Sequence, residues 1–186
     1  MPVSDELAAL LKALEEELVD LVPRLLASRT FPHPIATAFI VYNDTTCIDG
    51  DELFVQVLTD DHKHALMASD DGSLGWWNVN QLNWKNGELF YPMQLNVDFK
   101  KCYGLVSDMP EEDTAHVDLM PLRHALHTVA RRLNSWNWSS VLNVTDDFVF
   151  TVTDSSALLY LDSLSECIPE DKLAVLRGNG SIPAGS

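Results

Sequence analysis

The chain has 186 residues, with 28 Asp and Glu against 12 Lys and Arg, a formal net charge of -16, and 46% hydrophobic residues. That apolar share excludes a disordered acidic tail, since a domain of this size can build a core. The charge excludes a surface made to hold nucleic acid or an anionic membrane, and it favours basic protein partners.

In chain order, residues 5–28 predict one long helix. Leu7, Leu10, Leu11, Leu14, Leu18, Leu21, Val22, Leu25 and Leu26 recur at three- and four-residue steps and share a face. Ser4 is the expected N-cap, and Asp5 and Glu6 complement the positive end of the helix dipole. Pro23 is expected to kink or divide the helix, and the PHP at 32–34 to force an extended connection. From there to about residue 108 the period becomes two. TAFIVY (37–42), ELFVQVLT (52–59), HALMAS (64–69), ELFYPMQL (88–95) and CYGLVS (102–107) read as strands between turn-formers. Pro92 assigns its strand to an edge or a bulge.

A second helix is expected from Leu119 to about Ser135, capped by Asp118, with Leu119, Leu122, Leu126, Val129, Ala130 and Leu133 as its stripe. FVFTVTD (148–154) reads as a strand, and Ser155 to Leu176 as partly helical. The expected fold class is α+β. Its antiparallel β-sheet is built of hairpins or a meander, with the long N-terminal helix and a second helix packed on one face. Residues 1–186 form one expected domain, with 178–186 a frayed tail. Cys47, Cys102 and Cys167 are odd in number and widely spaced, which suits free thiols in a reducing compartment. With no signal-peptide pattern and no run of 18 apolar residues, the expectation is a cytoplasmic protein that meets no membrane.

Catalytic and metal signatures fail one by one. His62-x-His64 on a strand and His124-x-x-His127 on a helix would each share a face, but neither has the ligand spacing of a zinc site. His124 and His127 are expected on a partly exposed helix flank. Counting from Asp44, the third and fifth positions are Thr46 and Ile48, so the EF-hand pattern is not met. There is no nucleophile elbow and no glycine-rich phosphate loop. The expectation is therefore no catalytic residue, no metal and no cofactor.

The acids cluster in residues 43–71, 106–118 and 146–171. Beside the first cluster lies an aromatic segment, GWWNVNQLNWKNGELFYP (75–92), in which adjacent Trp76 and Trp77 cannot both point inward from a strand. Trp136 and Trp138 pose the same question further along. Stacking on single-stranded nucleic acid would need a basic groove, and this segment offers only Lys85.

The order of elements resembles that of bacterial immunity proteins encoded beside polymorphic toxins. The resemblance runs over roughly residues 5–160 and is carried by a leading helix, the AFIVY run, the segment from Trp77 to Trp84, a helix, and a late strand ending at Asp154. It implies a binder that neutralises a toxin and carries no enzymatic activity, and it transfers no site residues. Charge reasoning adds that an acidic patch with an aromatic centre suits a basic toxin or effector domain. On that reading Asp49, Asp51, Glu52, Asp60, Asp61, Asp70 and Asp71 surround Trp76 and Trp77 as the partner-binding surface. Two other readings stand beside it. One is a nucleic-acid mimic that blocks a DNA-binding protein, which wants a long regular acidic stripe. The other is a small enzyme or ligand-binding protein with a His/Trp-lined pocket.

Overall fold

A computed structural model describes residues 3–42, 53–68, 90–107, 120–154 and 164–182. Helix α1 (Asp5–Ala27) begins where the Ser4 hydroxyl accepts the Leu7 N–H at 3.2 Å, and Asp5 and Glu6 sit in its first turn. Leu7, Leu11, Leu14, Leu18, Val22 and Leu26 are buried along one stripe, each contributing about 1.5–3 kcal/mol through removal from water. Pro23 does not divide the helix. It lies buried within the last turns, where the lost N–H affects only a single bond near the end of α1.

The sheet contains β1 (Ile35–Tyr42), β2 (Leu53–Thr59), β3 (Phe90–Pro92) and β4 (Val144–Asp154), in the order β3-β2-β1-β4. β1 and β2 pair antiparallel, as do β2 and β3, but β4 lies parallel to β1 with Ala38 opposite Phe150 and Tyr42 opposite Asp154. The sheet is thus mixed, which corrects the expectation of a purely antiparallel one. Every residue of β1 is buried, as expected for a central strand covered on both faces. β3 is an edge strand of three residues ending at Pro92, which has no N–H to offer a further strand.

Two segments expected as strands are helices. HALMAS falls mostly within α2 (Asp60–Met67), whose Ala, Leu and Met favour helix and whose Asp60 and Asp61 match its N-terminal dipole. CYGLVS belongs to α3 (Phe99–Ser107), where Asp98 Oδ1 accepts the Lys101 N–H at 2.9 Å as an N-cap. Buried Phe99, Cys102 and Val106 there recur at three- and four-residue steps.

Helix α4 (Met120–Asn134) follows the expected stripe, and its expected cap Asp118 lies outside the described residues. It packs against α1 and β4. A 3-10 turn at Trp138–Ser140 then leads into β4. The strand registers place Ala38, Ile40, Val55, Val57, Phe150 and Val152 on one face, and the Trp138 ring lies 5.0 Å from that of Phe150 there. Thr37, Phe39, Gln56, Thr151 and Thr153 share the opposite face and are also buried.

Short α5 (Leu164–Cys167) and α6 (Glu170–Gly178) cover the outer edge of β4. Lys172 Nζ donates to the Phe148 carbonyl at 2.8 Å, and Asn134 bonds both the N–H and the carbonyl of Phe150. Side chains thereby replace the strand that the edge would otherwise recruit.

Candidate functional site

The acids are not spread evenly over the chain. The described residues hold 15 of the 28 Asp and Glu and 11 of the 12 Lys and Arg, so 13 acids and only Lys85 fall in the remaining segments. Within the described part several of the cations hold a carboxylate. Lys101 pairs with Glu6 at 2.5 Å, Arg132 with Glu16 through two bonds of 2.9 and 3.1 Å, Arg177 with Glu170 at 2.5 Å, and Arg24 with Asp20. Glu17 accepts N–H groups from Asn96 and Val97, which ties α1 to the start of α3. With 13 acids and one base, the residues outside the described part carry -12 of the net -16.

Two acid-bearing segments attach at one end of the sheet. Residues 43–52 join the end of β1 to the start of β2, and residues 155–163 follow the end of β4, with Tyr42, Leu53 and Asp154 in register across that end. Asp49, Asp51, Glu52, Asp70, Asp71, Trp76 and Trp77 lie outside the described residues. Asp60 and Asp61 are described and sit at the other end of β2, whose seven residues span about 20 Å from Leu53. Both open α2. Asp61 is held below the usual carboxylate range, chiefly by the Thr59 hydroxyl, and it lies 3.8 Å from His33. Asp60 lies 3.5 Å from His64. His62 and His64 are on this helix, where a two-residue step separates their directions, so the shared strand face expected for them does not form.

The other histidine pair converges on a groove. His124, His127, Thr128, Arg131, Arg132 and Ser135 of α4 face Glu166 of α5 around a space of about 570 Å³. The expectation of partial exposure holds for His124, but His127 is only 4% exposed. Its Nδ1 lies 2.5 Å from Glu166 Oε2, while His124 Nε2 is 4.0 Å from the same oxygen. Burial holds the His127 imidazole below its ordinary range, outweighing the opposite pull of Glu166. The hydrogen bond from His127 in turn lowers Glu166. Together they describe a neutral imidazole donating its Nδ1–H to an ionised carboxylate.

Other polar clusters are structural. Lys63 Nζ bonds Asp147 Oδ2 at 2.7 Å in a nearly closed site, with Thr145 and Asn179 donating to the same carboxylate. Cys102 and Cys167 are buried, which pushes their thiols up to about 11 and about 12, so both stay protonated and unreactive near neutral pH. Trp138 is a core residue whose Nε1 donates to the Leu133 carbonyl at 2.7 Å, and exposed Trp136 stacks on it with ring centroids 5.7 Å apart. Among the described residues, no set of three or more His, Cys, Asp or Glu forms a metal-sized cluster, and no helix is long and apolar enough to cross a membrane.

Comparison with known proteins finds no matching family model, no matching curated protein and no matching solved structure. The His127–Glu166 pair was missed by sequence reasoning because 39 residues separate its members. The spacing of His124, His127 and Arg131 on one helical face was the signal available.

Proposed function

We propose that this protein is an acidic binding protein that neutralises a basic protein partner, in the manner of an immunity protein bound to its toxin. The observation that carries the reading is the clustering of charge along the sequence: residues 43–52, 69–89 and 108–119 hold 4, 3 and 5 acids, 12 in all, against Lys85 alone. Solubility alone would be served equally well by acids scattered over the helices. Concentrated negative charge steers a basic partner and raises its association rate.

The binding residues in this reading are Asp49, Asp51 and Glu52, with Asp70, Asp71, Trp76 and Trp77 contributing from the next acidic segment of the sequence. Asp60 and Asp61 serve α2 first and join the surface only through the long-range field. Capture from the source lysate, followed by elution on a salt gradient, tests the class of partner. A basic protein released by salt supports the reading, whereas an acidic partner, or nucleic acid bound at about 0.15 M salt, contradicts it.

A further inference from the structure

The groove between α4 and α5 has no part in that reading and combines three features. First, it is concave and, at about 570 Å³, falls in the range of small-molecule sites. Second, a nearly buried side chain supplies a free acceptor. Glu166 can only accept, so Nδ1 of the neutral His127 ring carries the proton and Nε2 is left as a lone pair. The His127 ring lines the groove, and its Nε2 has no hydrogen-bond partner among the described residues. Third, Arg131 makes no ion pair with a carboxylate among the described residues. In a chain where Arg132, Arg177, Lys101 and Lys63 each hold an acid, the Arg131 side chain makes one 3.3 Å bond, to the Ser165 carbonyl.

Arg131 lies one helical turn beyond His127, so the two side chains rise from the same face, about 6 Å apart at their Cβ atoms. The Thr128 and Ser135 hydroxyls donate to the His124 and Arg132 carbonyls of their own helix. This arrangement recognises. It offers a cation at one end and a hydrogen-bond acceptor at the other.

We propose that the α4–α5 groove binds a small organic anion whose carboxylate or phosphate pairs with Arg131 and whose neighbouring hydroxyl or amine donates to Nε2 of His127. Glu166 acts as a positioning residue, since it fixes the tautomer that leaves Nε2 as the acceptor. His124, half-exposed at the rim, adds a cation when protonated.

The test is an NMR titration of the His ring signals of the intact protein with sodium lactate, sodium acetate and inorganic phosphate. Lactate has both groups, acetate lacks the donor, and phosphate replaces the carboxylate. Lactate is expected to shift the His127 signals saturably, with a dissociation constant on the order of 1 mM, and to bind more tightly than acetate. If phosphate saturates at lower concentration than lactate, the anionic end is a phosphate and the site stands. Arg131→Gln, at an exposed position, should weaken binding roughly 10-fold or more, and Glu166→Leu, which leaves Nδ1 no acceptor, should bring lactate down to the level of acetate. Absence of saturation with all three anions, or equal binding by Arg131→Gln, overturns the proposal. Unchanged melting temperatures in both variants keep either result from being a folding effect.

Discussion

Asn134 completes the outer edge of the sheet at Phe150. Its Oδ1 accepts the Phe150 N–H at 2.8 Å, while its Nδ2 donates to the Phe150 carbonyl at 2.8 Å and to the Cys167 carbonyl at 2.9 Å. One buried amide thus does for β4 what a neighbouring strand would do, and fastens α4 and α5 to the same point. Asn134→Ala should cost about 3 kcal/mol, because it leaves buried backbone groups without partners. Urea unfolding measures this. A loss under about 1 kcal/mol would mean that water replaces the amide.

The buried Lys63–Asp147 pair predicts an acid-sensitive step. Burial alone would raise the Asp147 carboxyl, but hydrogen bonds from Lys63, Thr145 and Asn179 outweigh it and hold the group below the ordinary aspartate value. A carboxyl depressed in the folded state stabilises the fold above its unfolded value and loses that contribution as pH falls through the depressed one. Unfolding midpoints of wild type should therefore decline between about pH 5 and pH 2 more steeply than those of Asp147→Asn. Lys63→Met, which strands the carboxylate, should cost about 3 kcal/mol or more at neutral pH.

The same sign applies at His127, in a higher pH window. Because its folded value lies below the ordinary histidine value, stability is fully present above the latter and declines as pH falls below it. Glu166→Gln removes the one group that pulls the imidazole upward, so the His127 titration followed by NMR should move to still lower pH. An upward move would show that Glu166 is not the acceptor. The neighbours that enter this titration are Arg123 and His124, both of which lower it.

The two tryptophans near the start of β4 should separate cleanly. Trp138→Ala removes a ring packed on Phe148 and Phe150 and should cost about 3–5 kcal/mol. Trp136→Ala removes an exposed stacked ring and should cost about 1 kcal/mol. Thermal melts compare them.

How far the sequence could be read depended on how local the signal was. The leucine stripe of α1, the Ser4 cap, the α4 stripe and the Pro92 edge are local patterns, and they match the structure. Strand direction is not local. β4 pairs parallel with β1 across some hundred residues, and the hint lay in β1 itself, whose unbroken apolar run suits a strand covered on both faces. HALMAS and CYGLVS were misread because a short apolar run fits either period, and Asp98 as an N-cap was the missed cue in the second. The candidate site divides similarly. Acid clusters are visible in composition, whereas the meeting of His127 with Glu166 depends on how α5 folds over α4.

If residues 49–52 carry the proposed surface, their clustered charge, rather than net charge as such, drives association with a basic partner. Stopped-flow association of the captured partner, over a range of salt concentrations, tests it with two triple variants of equal charge change. One reverses Asp49, Asp51 and Glu52 to Lys. The other reverses Asp5, Asp146 and Asp171, which are exposed on the scaffold. The first variant should slow kon about 10-fold or more and flatten its salt dependence, while the second should change it much less. Equal slowing by both variants, or an unchanged kon in the first, would contradict it.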